Sequence, residues 1–242
     1  MKITKVTDRH TIFTVPENAH YDLNLGLILG KKHNFIIDTG MGGSNVQAML
    51  EYLKQTGSDT KPVIAINTHY HEDHILGNWI LEDKLIISHV LCSELINKNW
   101  DGSMKEDIEN SREYFDDEIH KCLPNMLFDK VLLFPEDGIT LFHSPGHTAD
   151  CISVYDAVDK VLYVGDNFGI FDGAAAVWIG PWDAVAQRNV IDVDALQRLI
   201  NIYKQYDFKI CISGHSPPYT GNVITLLETA LKEAKSGENY GR

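Results

Sequence analysis

The sequence predicts an α/β chain (α+β in some schemes) made of two strand–turn–helix halves packed face to face. Three observations carry this. Short apolar, β-branched runs recur with turn residues between them. Stretches with apolar residues at helical spacing separate several of these runs. The two halves also echo one another at their strand ends: Phe35-Ile36-Ile37-Asp38 resembles Leu162-Tyr163-Val164-Gly165-Asp166, and Ile64-Ala65-Ile66-Asn67-Thr68-His69 resembles Ile210-Cys211-Ile212-Ser213-Gly214-His215. Halves related in this way bring all these strand ends, and their aspartates and histidines, to one rim.

Residues 3–15 and 21–29 alternate or run apolar, and Phe35-Ile36-Ile37 follows after a Lys31-Lys32-His33-Asn34 turn, so this region reads as antiparallel strands. Gly40, Gly42 and Gly43 permit a tight turn, with Ser44 or Asn45 as the cap of a helix over 46–55. Residues 62–67 form a buried strand, and 79–100 read as helix, strand (85–88) and helix. The acidic stretch 101–128 carries Trp100, Met104, Tyr114, Phe115, Met126 and Phe128 at loose helical spacing. It is either a solvated helical pair covering a core edge or a lid over a site. Strands follow at 131–134, 139–142, 152–155 and 161–164, then an amphipathic helix at 192–205, a strand at 209–213 and a helix at 222–235. The tail after Lys235 is expected to fray. No Pro/Ser-rich linker interrupts the chain, so 1–242 are read as one domain with an insert near 101–128.

The chemistry concentrates in Thr68-His69-Tyr70-His71-Glu72-Asp73-His74, directly after the 62–67 strand. His69 and His71 are two apart, so in an extended or turning segment they point the same way and can grip one ion. Asp73 and His74 are adjacent and point differently, so they can serve a second. Imidazole and carboxylate suit Zn²⁺ first, then Fe or Mn. Further candidates sit at comparable strand ends, each preceded by glycine: His147 in Pro145-Gly146-His147-Thr148, Asp166 in Gly165-Asp166-Asn167, and His215 in Gly214-His215-Ser216.

Composition narrows the partners. Thirty-four acids against 21 bases give a net charge of −13, which disfavours a phosphate backbone as a partner. No run approaches the roughly 18 apolar residues of a membrane span. The start has no apolar leader pattern, and the scattered Cys92, Cys122, Cys151 and Cys211 read as reduced thiols. A cytoplasmic location and a small-molecule substrate are therefore expected.

The ordered set His-x-His-x-Asp-His, Pro-Gly-His-Thr, Gly-Asp and Gly-His, with the Ile37-Asp38-Thr39-Gly40 turn, resembles the metallo-β-lactamase superfamily of hydrolases. The resemblance spans nearly the whole chain. It implies a four-layer αβ/βα sandwich with the site at one edge. It implies His69, His71 and His147 on a first metal and Asp73, His74 and His215 on a second, with Asp166 bridging. Two divalent ions, Zn above Fe or Mn, would share a hydroxide, and Asp73 would also be catalytic, orienting that nucleophile. Asp38 reads as a carboxylate that fixes the turn or a ligand histidine. The activity implied is hydrolysis of an ester, thioester, lactone or amide. The alternatives are phosphodiester hydrolysis on the same fold, an iron oxidoreductase resembling sulfur dioxygenases, and a metal-binding module without turnover.

Some positions depart from particular relatives. Flavodiiron proteins have glutamate at the position of His71. Glyoxalase-II-type thioesterases add a C-terminal helical domain that this sequence does not extend into. Many β-lactamases have cysteine at the position of Asp166 and a lysine at that of Gly169, where acyl-homoserine lactonases have tyrosine. Ala149-Asp150-Cys151 stands where a small residue and serine are frequent. Phe168, Phe171, Trp178, Trp182 and Tyr219 are divided between core packing and an apolar mouth.

Overall fold

The computed structural model describes residues 1–16, 22–183 and 188–236, with no side chain described for 182, 183, 188 and 189. The chain begins with strands β1 (Lys2–Lys5), β2 (His10–Pro16), β3 (Asp22–Leu29) and β4 (Asn34–Ile37), joined antiparallel. Helix α1 (Gly43–Gln55) crosses to β5 (Val63–Ile66), which lies parallel to β4. After the short α2 (Glu72–Ile75), β6 (Leu85–His89) adds in parallel; α3 (Val90–Asn99) and α4 (Ser103–Asn110) lead to β7 (Met126–Phe128), also parallel. These strands form one seven-stranded sheet in sequence order.

The second sheet contains β8 (Val131–Phe134), β9 (Ile139–His143), β10 (Ile152–Asp156) and β11 (Val161–Tyr163), all antiparallel neighbours. Two hairpins follow, β12 (Phe168–Phe171) with β13 (Ala174–Val177), and β14 (Trp182–Asp183) with β15 (Arg188–Asn189). Helix α5 (Val193–Tyr203) then returns the chain to β16 (Ile210–Ile212), parallel to β11, and α6 (Val223–Ser236) follows.

Strand alternation dictates the layers. On β4, Phe35 and Ile37 face one way and Ile36 the other. The first pair joins Ile12, Ile28, Ile64, Ile66 and Ile87 against Ile139, Leu141, Ile152, Val154 and Ile212 of the second sheet, forming the core between sheets. Ile36, with Phe13, Leu25, Leu27 and Ala65, packs outward against Val46, Met49 and Leu53 of α1. On the other side, Phe142, Leu162 and Cys211 pack against Leu196, Leu199, Ile200 and Tyr203 of α5 and Leu227 of α6. Helix, sheet, sheet and helices make the four-layer αβ/βα sandwich expected from the sequence. Each sheet contributes a parallel pair, β4 with β5 and β11 with β16, whose carboxyl ends carry the echoed aspartate and histidine segments.

Two local expectations are corrected. Helix α1 starts at Gly43 behind a Gly42 N-cap with no side-chain cap; Ser44 and Asn45 lie inside it. The Asp116 carboxylate accepts hydrogen bonds from Ser44 N at 2.7 Å and Ser44 Oγ at 2.7 Å, so an acid 72 residues away does the capping. Asn45 instead turns back, its Oδ1 accepting from Met41 N at 2.9 Å.

Stretch 101–128 is not a helical pair. Only α4 and a 3₁₀ turn at Arg112–Tyr114 are helical, and Met126–Phe128 pairs with β6. The run Asp116-Asp117-Glu118 and Pro124 disfavour a second helix. The 168–177 hairpin was not anticipated because glycines and three alanines carry little strand propensity. Its turn was legible, however. Asp172 and Gly173 take φ of 50° and 78°, the two left-handed positions of a two-residue hairpin turn. The expected fraying after Lys235 concerns residues that, past Ser236, lie outside those described.

Candidate metal centre

The seven sequence candidates arrive at one rim from both sheets. His69 and His71 follow β5, Asp73 and His74 lie on α2, and His147 follows β9. Asp166 follows β11, and His215 follows β16. Backbone hydrogen bonds lock these ends together: Thr39 N donates to His74 O at 2.8 Å, Ile152 N to Thr68 O at 2.9 Å, and Gly214 N to Gly165 O at 3.0 Å.

The donor atoms gather into two sets, His69/His71/His147 and Asp73/His74/Asp166/His215. In the first, Nε2 of His69 and Nε2 of His147 each lie 3.1 Å from Nδ1 of His71. In the second, Asp73 Oδ2 is 3.1 Å from His74 Nε2 and 3.4 Å from His215 Nε2. Asp166 Oδ2 lies 3.0 Å from His215 Nε2, 3.2 Å from His74 Nε2 and 3.6 Å from His69 Nε2, so one carboxylate reaches both sets.

These residues fit divalent ions. Tetrahedral ligands about 2.0–2.1 Å from Zn²⁺ are spaced about 3.3 Å from each other, close to the separations above. Tautomers fit as well. His147 Nδ1 faces the Trp178 carbonyl at 3.0 Å and His74 Nδ1 the Asp38 carboxylate at 2.8 Å, so both rings carry a proton on Nδ1 and point Nε2 inward. Asp166 Oδ1 is buried without a hydrogen-bond partner among the described residues.

Electrostatics point the same way. Burial, reinforced by His74, holds the His69 pKa well below its ordinary value. Burial and the neighbouring His147 bring His71 down to about 4. Both are therefore neutral lone-pair donors at pH 7. Burial would raise the pKa values of Asp73 and Asp166, but the surrounding imidazoles, His74 and His215 foremost, overcome it and keep both carboxylates ionised. His74 differs: burial disfavours its charged form, yet Asp166, Asp73 and Asp38 hold its pKa well above the usual value, so Nε2 carries a second proton that an incoming cation would displace.

Asp38 plays the supporting part the sequence suggested. It is 2% exposed and sits at φ 60°. Its Oδ1 accepts from Thr68 N at 2.7 Å, and Oδ2 accepts from Thr68 Oγ1 and His74 Nδ1, each at 2.8 Å. Sequence reading missed Asn167, whose side chain holds the His147 backbone, and the Trp178 carbonyl that orients the His147 ring. A backbone acceptor leaves no mark in a sequence. Asn167 was visible only as the neighbour of Asp166. A third donor group, His10 with Asp156 and Asp159, was also missed. Asp156 Oδ2 lies 2.7 Å from His10 Nε2 and 3.3 Å from Arg9 Nε, so a guanidinium already supplies the positive charge there.

The family model for the metallo-beta-lactamase superfamily matches residues 23–215, from β3 to the last of these histidines. The chain belongs to the metallo-beta-lactamase superfamily. It is an enzyme, a hydrolase of that superfamily. Among curated proteins it is 24% identical to acyl-coenzyme A thioesterase MBLAC2 of Gallus gallus over 209 residues, 79% of this chain and 72% of that one. It is 28% identical to a probable metallo-hydrolase of Methanocaldococcus jannaschii over 184 residues, 75% of this chain and 82% of that one. Among solved structures, the DIM-1 metallo-beta-lactamase exposed to ceftazidime superposes with a TM-score of 0.69 at 18% identity, covering 98% of this chain and 97% of that one. The metallo-beta-lactamase of Pontibacter korlensis gives 0.68 at 21% identity, covering 97% and 98%. At these identities the structures speak to the fold.

Departures of this superfamily member have physical causes. A Cβ on Gly169 would lie 2.7 Å from the Trp178 ring and 2.8 Å from the Phe171 ring, so two aromatic side chains close the space a longer residue would need. Trp178, half-buried, stands edge-on to His215 with centroids 6.0 Å apart, whereas Phe168 is fully buried core. Tyr219 packs on the α5–α6 core. The side chain of Trp182 lies outside those described. The turn after His147 is closed by Cys151, whose Sγ accepts from Thr148 N at 3.3 Å.

Proposed function

We propose that this chain is a binuclear metal-dependent hydrolase of acyl esters or thioesters, with Zn²⁺ in both positions. The observation that carries the reading is the convergence of seven donors into two adjoining sets that share Asp166. His69, His71 and His147 would hold one ion, Asp73, His74 and His215 the other, and Asp166 both. When bound, such a pair lowers the pKa of a water toward 7 and polarises a carbonyl or phosphoryl oxygen.

The chain's own groups supply the rest. Asp73 is 7% exposed and ionised, so a carboxylate oxygen there can accept a hydrogen bond from the attacking water and aim it at the substrate carbonyl. Asp38 and the Trp178 carbonyl fix which imidazole nitrogen carries a proton. Trp178 beside His215, with Phe171 6.3 Å from it centroid to centroid, offers an apolar wall for an acyl group. Tyr70 stands edge-on to His71, ring centroids 4.6 Å apart, and packs in the cluster of Met104, Trp100 and Ile108, which supports residues 101–128 as a wall of the cleft. The names of the MBLAC2 relatives favour a thioester over a phosphodiester.

The test is a panel of an acyl thioester, an aryl ester and a bis-aryl phosphate. Protein stripped of metal and protein reloaded with Zn, Mn or Fe are compared. The proposal expects acyl hydrolysis to vanish on stripping and return on reloading. Acyl turnover indifferent to metal, or faster cleavage of the phosphodiester, overturns it.

A further inference from the structure

Asp166 and His147 belong to different loops, and the structure holds them in register through one side chain. Asn167 is fully buried. Its Oδ1 accepts from His147 N at 2.9 Å. Its backbone carbonyl accepts from Trp178 N at 3.2 Å, and the Trp178 carbonyl accepts from His147 Nδ1 at 3.0 Å. These three bonds close a ring of Asn167, His147 and Trp178 that fixes both the backbone and the imidazole plane of His147. Behind it, Asn167 Nδ2 donates to Ser144 O at 2.9 Å and to Tyr203 Oη at 3.3 Å. Tyr203 Oη in turn lies 3.0 Å from Ser153 Oγ. The approach is close enough that a Cβ on Gly146 would sit 2.3 Å from Asn167 Oδ1.

We propose that Asn167 is a positioning residue that sets the His147 imidazole against Asp166, and so couples the two halves of the metal centre. An amide suits the position because it combines an acceptor for His147 N–H with two donors for Ser144 O and Tyr203. A carboxylate would lack the donors, and an aliphatic side chain would lack both. The inference rests on the ligand assignment of the proposed function, since Asn167 acts only through His147 and its neighbour Asp166. Removing its side chain releases the His147 backbone, and with it the seat of the imidazole, while leaving every donor atom and the Trp178 carbonyl in place. Losses on removing groups that orient a ligand run about 10–100-fold in metal affinity.

The test compares full-length wild type, N167A and Y203F by competition with a chromophoric chelator, by the absorption spectrum of the Co²⁺-loaded protein, and by the Tm of the metal-free form. Y203F cuts only the arm behind Asn167. It is expected to lower Tm with both chelator midpoints unchanged. N167A is expected to weaken one ion about 10–100-fold, to weaken the other less, and to change the Co²⁺ spectrum. Where N167A does not fold, G146A makes the same test by crowding Asn167 Oδ1 off His147 N–H, and the same ion should weaken. Wild-type midpoints in N167A, or equal losses at both ions with a Tm drop matching Y203F, overturn the inference. A wild type that binds no ion overturns the metal centre itself, which is a distinct result.

Discussion

Replacing Asp38 by Asn tests how the fold prepares a ligand. Asp38 offers a carboxylate to three donors: Thr68 N at 2.7 Å, and Thr68 Oγ1 and His74 Nδ1 each at 2.8 Å. The amide is isosteric, and Asn tolerates the left-handed backbone at φ 60°, so the turn itself is spared. Its oxygen can keep Thr68 N, and its NH₂ can donate to Thr68 Oγ1 in place of accepting from it. His74 has no such escape. An NH₂ facing its Nδ1 favours the tautomer with the proton on Nε2, the atom that faces Asp73 and Asp166. An ion at the second set then has to reverse that choice. The expected loss is about 10–100-fold in affinity there, or about 1.4–2.7 kcal/mol. A two-site chelator competition at constant pH reads it. Equal affinity at the second set, or a larger loss at the first, would refute the reasoning.

Other perturbations follow from the same packing. Gly214→Ala would put a Cβ 2.1 Å from Asp166 Oδ1 and 3.0 Å from His74 Cε1, so metal content measured by elemental analysis should fall while circular dichroism stays native. Phe168→Ala empties a fully buried site on the α5 side and should cost about 3–5 kcal/mol in urea unfolding. Asp137 accepts from Lys32 N at 2.6 Å and lies 2.8 Å from His33 Nδ1. Burial pushes its pKa up, but the His33 ring and the Lys32 and His33 amides prevail and lower it. A depressed carboxylate stabilises the fold above its unfolded pKa and loses that contribution as pH falls through the folded one. D137N should thus be less stable by about 2 kcal/mol at pH 7, with the gap narrowing only below about pH 4. Unfolding midpoints across pH check the sign.

Much of this site was legible because its chemistry sits on strand ends. Asp38, His69, Asp166 and His215 each follow an apolar run whose period identifies a strand, and the echo between halves places them on one rim. What escaped was chemistry without a sequence period. Asp116 caps α1 from 72 positions away, and no pattern near Ser44 reports it. The β12–β13 hairpin hid behind alanines, although Asp172-Gly173 marked its turn. The single helix within 101–128 shows the opposite failure, because aromatic residues that pack singly onto the core from a largely irregular segment imitate helical spacing. Asn167 was hidden because its importance lies in a ring of bonds that closes partly through backbone atoms.

The most direct measurement is anomalous diffraction at the zinc edge from crystals of the zinc-loaded protein. The account predicts two peaks about 3.5–4 Å apart, one against His69, His71 and His147, the other against Asp73, His74 and His215, with Asp166 touching both. A single peak, no peak, or zinc bound elsewhere on the chain would contradict it.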